Sequence, residues 1–176
     1  MSKKKSCILG SIMVMILVFL DQFTKYLAST HLKDGNSIIL IKDVFQLHYL
    51  ENRGAAFGMF QGGKIWFILF TTLLIIGLSY IYWHSPMEKK FLWIRIVIIT
   101  LLGGAFGNLI DRIRLDYVVD FFYFELIDFP IFNVADIYVC CGVAVLLVLY
   151  IFYYKEEDVE ALLPSRKNKD GRTKND

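Results

Sequence analysis

The stretch FPIFNVADIYVCCGVAVLLVLYIFYY (residues 129–154) decides the fold. Its last part, residues 137–154, carries no charged side chain. About 20 predominantly apolar residues are what an α-helix needs to cross the hydrocarbon core of a bilayer. Backbone amides find no water there, so a single segment must satisfy them internally and be helical. Two polar residues, Asn133 and Asp136, stand at the start of this helix with i,i+3 spacing, which puts them on one face.

Working outward, three further blocks meet the same requirement. Residues 65–83 have no charge, and residues 91–110 have only Arg95. Residues 7–27 are apolar up to Leu20 and then run into DQFTK (residues 21–25). A lysine-rich start followed by an apolar run also opens a secretory signal peptide, and Ala28-Ser29-Thr30 is a loosely small-residue site. The three spans that follow favour an uncleaved first helix. Trp66, Tyr80, Tyr82, Trp83, Trp93, Tyr153 and Tyr154 lie near span ends, where aromatic belts form. The expected architecture is therefore an all-α membrane protein of four transmembrane helices. Residues 37–49 (SIILIKDVFQLHY), rich in β-branched and aromatic side chains, add two short strands, a hairpin on the membrane surface.

Charge distribution sets the orientation. Twelve Lys and Arg residues, counting Arg95 near the start of its span, fall on the side holding the N-terminus, the 84–90 connection and the tail, and seven on the other. The positive-inside rule then places both termini in the cytoplasm and the loops 22–64 and 111–136 outside. Residues 1–154 read as one membrane domain, and residues 155–176, charged and poor in apolar groups, as a disordered cytoplasmic tail. Hydrophobic residues make up 56% of the chain and the formal net charge is only +2, which excludes a nucleic-acid footprint. Cys7, Cys140 and Cys141 show no CxxC spacing, and His31, His48 and His84 are dispersed, so neither a disulfide framework nor a metal site is expected.

Ionisable residues at membrane depth are expensive and mark function by default. Here they gather at the outer span ends in four clusters. Asp21 and Lys25 are i,i+4 and can pair, either as an interfacial ion pair or in contact with a substrate. NRGAAFG (residues 52–58) is a close-packing turn whose Asn52 can hydrogen-bond a peptide. In GGAFGNLIDR (residues 103–112), Gly103 and Gly107 form a GxxxG face, and Asn108 and Arg112 can project into one cavity. Asp111 can pair or cap, and Arg112 can instead snorkel to headgroups. The fourth cluster is VVDF (residues 118–121) with FNVAD (residues 132–136). Taken singly, Asp120 is a loop acid and Asp136 a helix-capping acid. Taken jointly, two carboxylates in apolar surroundings share a proton and can act as acid and base on one water.

These runs, in this order, resemble the bacterial lipoprotein signal peptidases (signal peptidase II). The resemblance covers about residues 7–154 and rests on DQFTK, NRGAAFG, GNLIDR, VVDF and FPIFNVAD together. It implies an aspartic endopeptidase of the cytoplasmic membrane with its active site at the outer face. The enzyme would remove the signal peptide from diacylglyceryl-modified prolipoproteins, cutting before the lipidated Cys. It implies Asp120 and Asp136 as the catalytic pair, and Asn52, Asn108, Arg112, Asn133, Asp21 and Lys25 as substrate-binding. It further implies a small extracytoplasmic sheet, no metal or cofactor, and prolipoprotein signal peptides and membrane lipid as partners of a monomer. Cys7 follows Lys5 and Ser6 without an apolar stretch, so this chain does not itself carry a lipoprotein cleavage site. The rival reading, a small transporter or scaffold subunit, would place ionisable groups along mid-span or need no acid pair at all.

Overall fold

The computed structural model describes residues 2–35, 37–54 and 64–162. Four helices among these are long and apolar enough to cross a membrane. Helix α1 spans Lys3–His31, α2 Lys64–His84, α3 Leu92–Leu115 after a 3₁₀ turn at Lys89–Phe91, and α4 Val134–Phe152. Strands β1 (Ile38–Ile41) and β2 (Phe45–Asn52) follow α1, and β3 (Val118–Tyr123) follows α3. They form one antiparallel sheet in the order β1-β2-β3.

Helix α3 is the hub. It alone is buried along most of its apolar window, whereas α1, α2 and α4 turn most of theirs outward, as lipid-facing helices do. Its small residues explain why it can be surrounded. A Cβ on Gly103 would lie 2.8 Å from Leu17 of α1, and one on Gly104 would lie 2.5 Å from the Ala135 carbonyl oxygen of α4. With no hydrophobic drive between helices in lipid, such close backbone approach supplies the packing. The GxxxG face expected from the sequence thus meets α1, and the glycine between its members meets α4. Ile75, Ile94, Ile98, Leu102, Ala105 and Leu109 pack where α2 lies against α3.

The hairpin expected at residues 37–49 is present, and it gains a third strand that the sequence reading left as loop. In β3 the pairs Leu50↔Asp120 and Asn52↔Val118 set the register against β2. Asp116, in the left-handed region at φ 70°, ends α3 and turns the chain into that strand. Val119 and Phe121 point to the other face of the sheet, against Ala28 and Leu32 of α1. The sheet is therefore fastened to the first helix through the side opposite Asp120.

The tail departs from expectation. Residues 156–162, read as part of a disordered end, form a helix, α5 (Glu156–Leu162). The Asp158 carboxylate accepts from the Lys155 backbone N–H at 2.9 Å, a capping bond, and pairs with Lys90 at 2.5 Å. Leu162 is buried with Phe91 and Ile94. One apolar anchor and one cap order a segment whose charged composition alone argued against order. The rest of that tail, and the AAFG half of NRGAAFG, lie outside the described residues.

Candidate functional site

The site forms where the sheet meets the ends of α3 and α4. After β3 the chain makes an excursion through residues 124–131 and returns. The Phe122 N–H donates to the Phe132 carbonyl at 2.8 Å, and the Phe132 N–H donates back at 3.1 Å. This bridge brings Asn133, the next residue, against Asp120. Asn133 Nδ2 donates to Asp120 Oδ1 at 2.6 Å.

Asn133 also starts α4. Its Oδ1 accepts from the Asp136 N–H at 3.0 Å, while Asp136 Oδ2 accepts from the Asn133 N–H at 3.1 Å, a reciprocal capping box. The capping acid expected from the sequence is therefore real, yet it occupies only one carboxylate oxygen. The other, Asp136 Oδ1, accepts from Asn108 Nδ2 of α3 at 2.8 Å. Asn108 Oδ1 in turn accepts from Asn133 Nδ2 at 3.1 Å and from Lys25 Nζ at 2.9 Å. Asn52, at the end of β2, donates to Asp120 Oδ2 at 2.8 Å, and the Gly54 N–H fixes its other end at 3.0 Å. Three asparagines from three elements thus hold two carboxylates without neutralising either.

Asp120 is 1% exposed. Burial, and next the charge of Asp136, push its carboxyl up to about 7 against the hydrogen bonds from Asn52 and Asn133. The pair lies at the floor of a cavity of about 780 Å³, whose walls include Asn52, Asn108 and Arg112. The Arg112 guanidinium stacks on Phe67 of α2 at 5.0 Å and makes one bond to the Asn108 carbonyl at 3.3 Å, and most of its donors have no partner among the described residues. Among the described residues no group of three or more His, Cys, Asp or Glu could hold a metal ion.

Three residues expected to touch substrate are placed differently. Asp21 and Asn133 are fully buried and Lys25 is 3% exposed. None of the three borders the cavity. Lys25 uses its three donors on Asp21 at 2.9 Å, Asp111 at 3.0 Å and Asn108. The interfacial ion pair was one of the two readings open for Asp21 and Lys25, and it is the one realised, though buried and with a second acid. Asp21 Oδ1 accepts from the Ala135 N–H at 2.9 Å, and Asp111 Oδ2 accepts from the Val119 N–H at 3.2 Å. The cluster ties α1 to α3, β3 and the start of α4, beneath the two carboxylates. These residues hold the site rather than line it.

The pairing open to Asp111 is realised with Lys25, whereas Gln22 was missed as a member of this framework. Gln22 Nε2 reaches Asp111 Oδ1 at 2.8 Å and the Gly107 carbonyl at 3.2 Å. A Gln beside an acid at membrane depth was the available signal, since such an amide must find partners.

Comparison with known proteins shows the family. Residues 13–152 match the family model described as Signal peptidase (SPase) II. The chain is 46% identical over 142 residues to a "Lipoprotein signal peptidase" of Caldanaerobacter subterraneus subsp. tengcongensis, covering 80% of this chain and 94% of that one. It is 41% identical over 152 residues to a protein of the same name from Clostridium tetani, covering 85% and 94%. Among solved structures, a bacterial membrane enzyme obtained by the in meso method superposes with a TM-score of 0.75 at 32% identity, covering 84% of this chain and 92% of that one.

Proposed function

The chain belongs to the signal peptidase II family, and on that premise we propose that it is an aspartic endopeptidase acting on lipid-modified prolipoproteins. The observation that carries the proposal is the pair Asp120 and Asp136, joined through Asn133 and Asn108 at the floor of a cavity at a membrane-helix end. The relatives are named for lipoprotein signal peptides, which fits a site at the end of transmembrane helices. There the acyl chains of a diacylglyceryl-cysteine can stay in the bilayer while the peptide reaches the acids.

In the proposed reaction, a water lies between the two carboxyl groups. Asp136, at the start of α4 where backbone N–H groups favour an anion, takes a proton from it. The resulting hydroxide adds to the scissile carbonyl carbon. Asp120, held neutral up to about pH 7, donates its proton to the carbonyl oxygen. The tetrahedral intermediate then collapses. The C–N bond breaks, the amine nitrogen of the lipidated Cys gains a proton through Asp136, and Asp120 recovers its own from the hydroxyl that becomes the carbonyl. Acid–base help of this kind contributes about 10²–10⁴-fold, and positioning the rest. Arg112, with donors at the cavity wall, is assigned to the substrate backbone; Asn52 and Asn108, whose amides are committed to Asp120 and Asp136, orient those acids. The lysine and arginine bias supports both termini in the cytoplasm and the site at the outer face.

The test is cleavage of a diacylglyceryl-modified precursor in vesicles, read by gel shift, with the unmodified precursor as control and a chelator present. Cleavage of the lipidated form alone, lost in Asp120→Asn and Asp136→Asn proteins that still insert, is the expected result. Turnover near wild type by either variant removes the dyad.

A further inference from the structure

The cavity extends well past the two acids. Beyond Asn52 and Leu50 it runs along one face of β2 to His48 and Gln46, opposite Tyr123 and Asp128. Gln46, His48 and Leu50 all belong to β2, so this arm is built by the sheet rather than by helix ends. Leu50 is directly across from Asp120, and Gln46 from Tyr123. From Leu50 to Gln46 is four steps of about 3.3 Å, which makes the arm about 13 Å long, room for three or four residues of extended peptide.

From this geometry we infer a subsite for the segment of substrate that follows the cleavage point, with a preference for basic side chains there. The inference rests on the peptidase reading above. A signal peptide crosses the bilayer with its mature portion leaving on the far side. Whatever lies downstream of the cut must therefore depart away from the helices, and the sheet arm is the part of the cavity that points that way. Chemistry gives the preference. Near the acids the wall carries Arg112, and Arg53 paired with Glu51 at 3.2 Å. At the outer end it is anionic. Asp128 accepts from the Tyr123 hydroxyl at 2.7 Å, which leaves its second oxygen open, and Glu125 accepts from Gln46 Nε2 at 3.2 Å at the rim. Both acids are exposed and neither has a cationic partner among the ion pairs of the described residues. His48 has Nδ1 at 2.8 Å from the Ser37 hydroxyl, so its Nε2 is free to bond a passing backbone. An extended peptide gains backbone contacts along the strand face and one charge contact at its end.

The experiment uses three diacylglyceryl-modified precursors, identical through the lipidated Cys and carrying Lys, Gln or Glu at the third residue after it. Relative kcat/KM is measured in zwitterionic vesicles. Two exposed carboxylates predict an order Lys > Gln > Glu spanning about three- to tenfold at low salt, and narrowing at high salt. In Glu125→Gln/Asp128→Asn protein the order should flatten to within about twofold. Equal rates for the three precursors in the wild type, or an order unchanged in the double variant, overturn the inference while leaving the peptidase reading intact. Cleavage of none of them overturns the peptidase reading and this inference with it.

Discussion

Replacing Lys25 by Met is the most direct test of how the site is held. The ammonium is 3% exposed and spends its three donors on Asp21, Asp111 and Asn108, all within 3.0 Å. Met keeps the length of the side chain and removes the charge. Two carboxylates, 0% and 3% exposed, are then left facing each other without a cation. Removing one partner of a buried pair costs about 3–5 kcal/mol, because the uncompensated charge remains out of water. For a chain of this size about 1 kcal/mol shifts the midpoint by about 2–4 °C, so thermal unfolding in detergent should fall by about 6–20 °C. A second substitution separates charge from shape. Asp21→Asn added to Lys25→Met keeps an acceptor for the Ala135 N–H and offers an N–H to Asp111. It should recover about half the loss, whereas Asp21→Asn alone should destabilise. If Lys25→Met costs less than about 1 kcal/mol, or if the second change adds to the loss rather than relieving it, the cluster is not a charge-compensated framework and the reasoning fails.

Other expectations follow from the same geometry. Because Asp120 holds its proton in the folded protein up to about pH 7 while an unfolded Asp loses it at about 3.9, its contribution to stability is full below about pH 4 and is lost as pH rises to about 7, at most about 4 kcal/mol. Asp120→Asn protein should lack this component of the pH dependence in unfolding experiments, and wild-type kcat should decline above about pH 7 as the general acid ionises; pH-independent differences between the two proteins would contradict both. Asn133→Ala removes the N-cap of α4 and the bond to Asp120, so it should lose about 1–2 kcal/mol of stability and at least tenfold in kcat with little change in KM, measurable in the cleavage assay. Gly107→Ala places a Cβ 2.5 Å from Asp21 Oδ2 and should cost about 1–3 kcal/mol, whereas Gly77→Ala, with nothing within 4 Å, should be neutral or slightly stabilising in the same unfolding measurement.

What the sequence made legible, and what it hid, divides along a physical line. The spans were readable because bilayer crossing imposes length and apolarity on one continuous segment, so local composition carries the whole signal. The pairs along one helix were readable for the same reason: Asp21 with Lys25, and Asn133 with Asp136, sit at fixed helical offsets. Strand β3 was hidden because its partner is far away in sequence, with Asn52 paired to Val118 and Leu50 to Asp120. In isolation VVDFFY is apolar on both faces except for one acid, which is how a loop entering the membrane surface also looks. Helix α5 was hidden because one buried leucine and one capping aspartate outweigh a charged composition. The roles of Lys25 and Asn133 turned on burial, which no spacing rule reports. A lysine four residues from an acid reads alike whether it meets substrate or is walled in. Only the close approach of α1 and α4 to α3, made possible by glycines at 103, 104 and 107, decides that it is enclosed. The pair proposed as catalytic consists of different groups. The acids that border the cavity are held by asparagines, while the acids beneath are bridged by a lysine. One motif-rich helix end thus divides into a layer that borders the cavity, proposed to be reactive, and a layer that supports it, and the choice of amide or ammonium as partner is what separates them.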